Sequence, residues 1–307
     1  MILKVNKMTF FTVVLPVFSI FLIGFIGEKK IGFNTRTIST MTLYLMSPVL
    51  VFRTFYTIEF NLDYLYLTVY TFALCFVLIL VVYIVAFVQK YSRAETCGMI
   101  LASSFMNNGN YGTPVALLLF GTAGFDFAII LMVIQQLVMC TVGVYYAAKG
   151  GEEGDGIKFA IRSVRRMPTV YGAITGALFQ ICHIPIGDAL TKAVDLVADA
   201  TIPTVMIILG MQLAKISLRS IQKSKVTLSI LIKLCVSPCI SYIFTLFLPI
   251  DEMMKQIIII MAAMPTAANT TMYAVQFNTN PDFVSSATLI STLLSLVTLP
   301  LIFAIVL

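Results

Sequence analysis

The chain has 307 residues, of which 59% are hydrophobic and only 11% charged, and its mean hydropathy is +0.98, which excludes an ordinary water-soluble domain. The net charge of +6 is spread in short basic clusters between apolar runs, a pattern of loops at a cytoplasmic lipid surface and not of a nucleic-acid face. A helix needs about 20 apolar residues to cross a hydrocarbon layer about 30 Å thick, so this length holds about ten spans and no soluble enzyme module.

In chain order, Lys4 and Lys7 precede the apolar run 8–27. That run is too long for a secretory signal and ends in Glu28-Lys29-Lys30 without a cleavage pattern, so it reads as a retained first span. Further helices are expected over 37–57, 64–88, 97–120, 124–148, 168–183, 195–214, 226–249, 255–276 and 282–306. The sixth, 168–183, is short for a bilayer and implies tilt or local thinning. With ten spans, the loops after the first, third, fifth and seventh hold 15 of the 20 basic residues, Lys233 counted among them. Lys4, Lys7, Arg53, Lys192 and Lys255 fall on the other side, so the positive-inside rule predicts a multi-pass plasma-membrane protein with both termini extracytoplasmic.

The connection 149–167 holds GGEEGDG and then a basic stretch, the composition of a cytoplasmic linker. It divides the chain into a five-helix repeat, 1–148, and a second, 168–307. Pro48 and Pro203 lie inside the second and seventh expected helices, and Pro114 and Pro265 follow them by 66 and 62 residues inside the fourth and ninth. Five is odd, so the second copy enters the membrane from the opposite side. Inverted repeats with paired interrupted helices point to a transport site at the bilayer midplane.

The chemistry concentrates in those two helices. The fourth carries Asn107, Asn108, Gly109, Asn110, Tyr111, Gly112 and Pro114, and the ninth carries Pro265, Thr266, Asn269, Thr270 and Tyr273. The glycines and prolines are expected to break the helices in mid-membrane, where the freed backbone needs protein, water or a ligand as partner. Two half-helix N-termini meeting at the centre would hold a carboxylate without lysine or arginine. Asn107, Asn110 and Asn269 would add side-chain donors. The blander reading, asparagines that merely satisfy a kinked backbone and glue helices together, suits one such helix better than two at equivalent repeat positions.

The stretch 107–114, the pattern 264–269 and the closing 289–295 with Pro300 resemble the auxin efflux carrier family, which includes plant auxin exporters and bacterial proteins assigned to malonate and related organic acids. The resemblance covers essentially the whole chain. It implies an all-α polytopic membrane fold of ten transmembrane helices in a five-plus-five inverted repeat, similar to sodium/proton antiporters and bile-acid symporters. Helices four and nine would cross at their breaks, with Pro114 and Pro265 as the crossover prolines and Asn107 at the position that contacts a substrate carboxylate. Helices one, two, six and seven would form a scaffold that carries Pro48 and Pro203, and the remaining helices a mobile transport unit. The function implied is a secondary transporter of small organic anions, in the efflux direction, with H+ or Na+ as the candidate coupling ion. The alternative is a channel or ligand-binding receptor that uses the same pocket. The fold resemblance also allows a homodimer, for which the residues offer no interface.

Other residues point nowhere more specific. The carboxylates Glu59, Asp63, Glu95, Asp126, Asp195, Asp199, Asp251, Glu252 and Asp282 all fall near expected span ends and read as solvated boundary charges, as does His183. Six cysteines without CxxC spacing and 16 scattered methionines read as packing, so neither a metal nor a cofactor is expected. With no HExxH, GxSxG or mid-span carboxylate pair, catalysis is not expected.

Overall fold

The computed structural model describes residues 15–58, 62–151, 156–215 and 222–307. Lys4, Lys7, the start of the 8–27 run, Glu59, Arg219 and the acidic part of the 149–167 linker lie outside the described residues. The helices are α1 (Leu15–Ile31), α2 (Thr35–Thr57), α3 (Leu62–Gln89), α4 (Arg93–Ser103), α5 (Asn108–Gly150), α6 (Gly156–Arg165), α7 (Pro168–Ile181), α8 (Gly187–Lys215), α9 (Lys223–Thr245), α10 (Glu252–Ala262), α11 (Ala268–Gln276) and α12 (Pro281–Val306). Among the described residues the only β pairing is one isolated bridge.

Six of these helices, α2, α3, α5, α8, α9 and α12, are long and apolar enough to cross a membrane. They expose large apolar side chains to the outside, Phe87, Phe247 and Ile305 being 80% or more exposed, as a hydrocarbon solvent requires. The remaining expected spans are short or interrupted. α1 has 17 described residues, α7 has 14, and the fourth and ninth are split into α4 with the head of α5, and α10 with α11. α5 itself is interrupted at Gly121, whose φ of 67° and ψ of −159° leave helical geometry at the expected 121–123 connection. A Cβ there would meet nothing within 4 Å, so the left-handed backbone and not crowding requires the glycine.

Three of the four π turns among the described residues share one sequence cause, and the fourth, Met139–Gly143, has no proline just after it. Thr42–Met46, Asn108–Gly112 and Ile232–Val236 each end two residues before a proline, Pro48, Pro114 and Pro238. A proline ring clashes with the preceding turn and removes a donor, and the helix answers by widening. Pro203 lies inside α8 without such a turn.

The linker carries a helix. Its basic part folds as α6, with Ile157 and Ile161 along one side, Lys158, Arg162 and Arg165 along the other, and Phe159 packed edge-on against Phe277 at 5.2 Å. α8 begins earlier than expected, at Gly187, and its Asp195 and Asp199 face Arg53 of α2, at 3.5 and 2.6 Å.

The helices pack as two groups. α1 lies along α8, and α2 along α7 and α8. Glycine makes these approaches close: a Cβ on Gly24 would stand 2.0 Å from the Ile207 carbonyl oxygen, one on Gly210 1.9 Å from that of Phe21, and one on Gly172 2.4 Å from that of Pro48. α3, α4, α5, α9, α10, α11 and α12 pack mainly on one another around a core that includes Met99, Leu101, Ile129, Ile258 and Ile260. The head of α5 meets α8 between the groups.

Candidate binding site at the crossing of two broken helices

α4 stops at Ser103 and α5 starts at Asn108, while α10 stops at Ala262 and α11 starts at Ala268. The two gaps pair with each other. Met106 and Thr266 form the antiparallel bridge, with Asn107 N–H donating to the Pro265 carbonyl at 2.9 Å and Ala267 N–H to the Phe105 carbonyl at 3.1 Å. Backbone that would be stranded in lipid is thus satisfied across the crossing. The first N–H groups of α5 and α11 have no acceptor inside their own helices, so two positive helix ends flank one bridge.

The expected site residues divide by role. Thr266 is structural: its N–H donates to Ser291 Oγ at 3.2 Å and its hydroxyl to the Ala102 carbonyl at 2.6 Å. The Thr270 hydroxyl donates back to the Ala267 carbonyl at 2.8 Å. Tyr111, 1% exposed, pairs with Ser295 Oγ at 2.9 Å and stands edge-on to Phe18 and Phe21 of α1. The Tyr273 hydroxyl lies 3.2 Å from Cys140 Sγ. Asn107 and Asn108 are buried, and Asn107 Nδ2 and Asn108 Oδ1 have no hydrogen-bond partner among the described residues. Asn110 and Asn269 are partly exposed at the starts of the two half-helices. The asparagines, not the threonines or tyrosines, therefore hold unused hydrogen-bonding capacity at the crossing.

Three expectations are corrected. Gly109 and Gly112 do not make the break but lie in the π turn after it. Gly112 has helical φ and ψ of −65° and −47°, and its use is space, since a Cβ would stand 2.7 Å from Met261 Sδ. Pro114 lies past the π turn, inside α5, and only Pro265 belongs to the paired backbone. Lys233, counted above with the loops, is wholly buried within α9.

Gln135 was missed by sequence reasoning. Its Nε2 has no partner, and it lines a cavity of about 10 Å³ together with Asn108, Tyr70, Met106 and Met261. An orphaned donor and an orphaned acceptor thus share a space that admits about one water. A polar side chain among long apolar runs was the available signal. A larger cavity of about 630 Å³, between α5 and α6 and lined by Tyr145, Ile161 and Arg165, lies away from the crossing and holds none of the orphaned amides.

Apolar helices, paired breaks and orphaned amides at the crossing define a polytopic membrane protein with polar groups where two broken helices meet. The chain belongs to the membrane transport protein family, which it matches over residues 9–303, in agreement with the resemblance to auxin efflux carriers. It is 26% identical to an uncharacterized transporter of Methanothermobacter thermautotrophicus, over 91% of this chain and 90% of that one. It is 25% identical to a protein of Rhizobium meliloti named "Putative malonate transporter", over 93% of this chain and 92% of the other.

Proposed function

We propose that this membrane transporter is a secondary carrier that exports a small carboxylate of the malonate class by alternating access. The anion binds against the paired N-termini of α5 and α11, with Asn107, Asn110 and Asn269 as donors and Asn108 lining the site beside them. The observation that carries this reading is the crossing itself, where Asn107 N–H meets the Pro265 carbonyl and the Asn107 amide nitrogen is left without an acceptor. The name of the Rhizobium meliloti relative supports the substrate class.

In this reading ten spans form two inverted halves, 1–148 and 168–307, joined by the cytoplasmic linker 149–167, with both termini extracytoplasmic. Two pairs of contacts support the repeat. Pro203 follows Pro48 by 155 residues, and the same shift relates Phe21 to Gly176 and Phe55 to Gly210. Gly210 abuts the Phe21 carbonyl, and a Cβ on Gly176 would stand 3.0 Å from Phe55 Cβ. The shift also relates Gly24 to Phe179 and Phe52 to Ile207; Gly24 abuts Ile207, and Phe52 and Phe179 have ring centroids 5.8 Å apart. The glycine-locked group α1, α2, α7 and α8 serves as the scaffold, and the group that contains the crossing moves against it.

Counterflow tests the reading: liposomes with purified protein and unlabelled malonate inside should accumulate external radiolabelled malonate transiently. Binding without counterflow would favour a receptor, and flux without saturation or counterflow a channel.

A further inference from the structure

Lys233 is the one wholly buried basic side chain among the described residues, and its Nζ has no hydrogen-bond partner there. It lies ten residues past the start of α9, about 15 Å along the helix axis, deep in the apolar part of the span. A row at four-residue spacing runs down the helix through it: Lys225, Ser229, Lys233, Ser237 and Ser241.

Every other member of the row is engaged. Lys225 is ion-paired with Glu95, the Ser229 hydroxyl donates to the Val226 carbonyl at 2.9 Å, Ser237 to the Ala262 carbonyl at 2.8 Å, and Ser241 shares a hydrogen bond with the Tyr70 hydroxyl at 2.7 Å. The Lys233 turn packs against α4 and α12. Titratable groups there are Glu95 and Cys97, early in α4, and Asp282 in the first turn of α12; Cys75 of α3 is the electrostatic neighbour of the amine. No carboxylate among the described residues forms a salt bridge with it.

An unpaired ammonium sealed in apolar surroundings costs several kcal/mol, whereas the neutral amine costs far less. Ionisable residues at this depth are retained for ion or proton movement. We propose that Lys233 is the proton-binding group of transport, neutral in this sealed conformation and protonated when the surrounding helices open to water. The proposal rests on the organic-anion carrier reading above. The Nζ lone pair takes a proton from water on the loading side, the ammonium travels with the anion at the crossing, and the proton returns to water on the other side. With both malonate carboxylates ionised near neutral pH, a loaded body carries two negative charges and one positive, and an empty body carries none of them. One proton and two negative charges move in the same direction, so one net negative charge crosses with each malonate and the ammonium offsets half of the anion's charge in the apolar layer.

The test uses liposomes that contain the protein and the pH dye pyranine, clamped at zero potential with potassium and valinomycin, and given external radiolabelled malonate. Wild type is expected to acidify the lumen as malonate enters. In Lys233→Met, acidification per malonate should fall by roughly tenfold or more. Lys233→Gln gives the same ratio should the Met variant fail to fold. Malonate entry into wild-type liposomes without acidification overturns the proposal with no variant needed. Acidification that survives in Lys233→Met, as it would if the proton rode on the substrate, overturns it too. Absence of any malonate counterflow in wild type would instead overturn the carrier reading, and this proposal with it.

Discussion

Asn107 and Pro265 meet backbone to backbone at 2.9 Å, N–H to carbonyl, while the Asn107 amide nitrogen is buried without an acceptor. The main chain of this residue builds the crossing, and its side-chain donor, unpartnered among the described residues, is the one that the proposed function gives to the anion. Stability and binding are therefore separable at one position.

Asn107→Ala keeps the backbone bond and removes a buried donor that nothing satisfies, a change close to neutral for folding. A hydrogen bond to a charged partner contributes about 1.5–3 kcal/mol, so carboxylate affinity should fall about 10- to 100-fold. Titration calorimetry with malonate, paired with thermal unfolding in detergent, checks both halves. A variant that binds as wild type does would remove Asn107 from the site.

Thr266→Val should show the opposite balance. It removes the hydroxyl that donates to the Ala102 carbonyl at 2.6 Å, tying the crossing to α4. A loss of about 1 kcal/mol in unfolding free energy is expected. An unaltered unfolding midpoint would mean that the crossing is held without this bond.

Gly210→Ala tests the scaffold. The added methyl would stand 1.9 Å from the Phe21 carbonyl oxygen, a main-chain atom that cannot swing aside. Overpacking of this kind costs about 1–3 kcal/mol or more. Gly109→Ala is the control, because its Cβ would stand 3.4 Å from the flexible Met132 Sδ. Equal unfolding temperatures for the two variants would contradict the close α1–α8 approach.

Glu95 supplies a pH dependence from a group that precedes the apolar run beginning at residue 97. Lys225 first, and then the Ser92 N–H, hold its carboxyl down to about 2. The folded value lies below the unfolded one, about 4.3, so the stabilisation is fully present above that range and fades as pH falls toward 2. Glu95→Gln should unfold at a lower temperature than wild type at neutral pH and lose less on acidification. Parallel melting curves from neutral to acid would show that the pair contributes nothing.

The sequence made the lipid-facing character and the two polar breaks legible, because composition and intramembrane asparagine are strong signals. It placed the 121–123 connection, which Gly121 makes by its left-handed backbone. It misjudged Gly112 and Pro114, because glycine and proline mark both a break and a close or widened helix, and only the neighbour distinguishes them; at Gly112 that neighbour is Met261. Lys233 was hidden by charge counting, which treats every basic residue as a loop residue. Gln135 was hidden because its cavity is formed by side chains from α3, α10 and the gap before α5 together with its own helix, far apart in the chain.

The central claim is that two helix ends and asparagine amides hold a negative charge in mid-membrane. Titration calorimetry of the purified protein with malonate and with its neutral diamide, malonamide, tests it most directly. Saturable malonate binding that weakens in Asn107→Ala, with no binding of malonamide, is the predicted result. Equal binding of the charged and neutral molecules, or no binding by malonate or any other carboxylate tried, would contradict it.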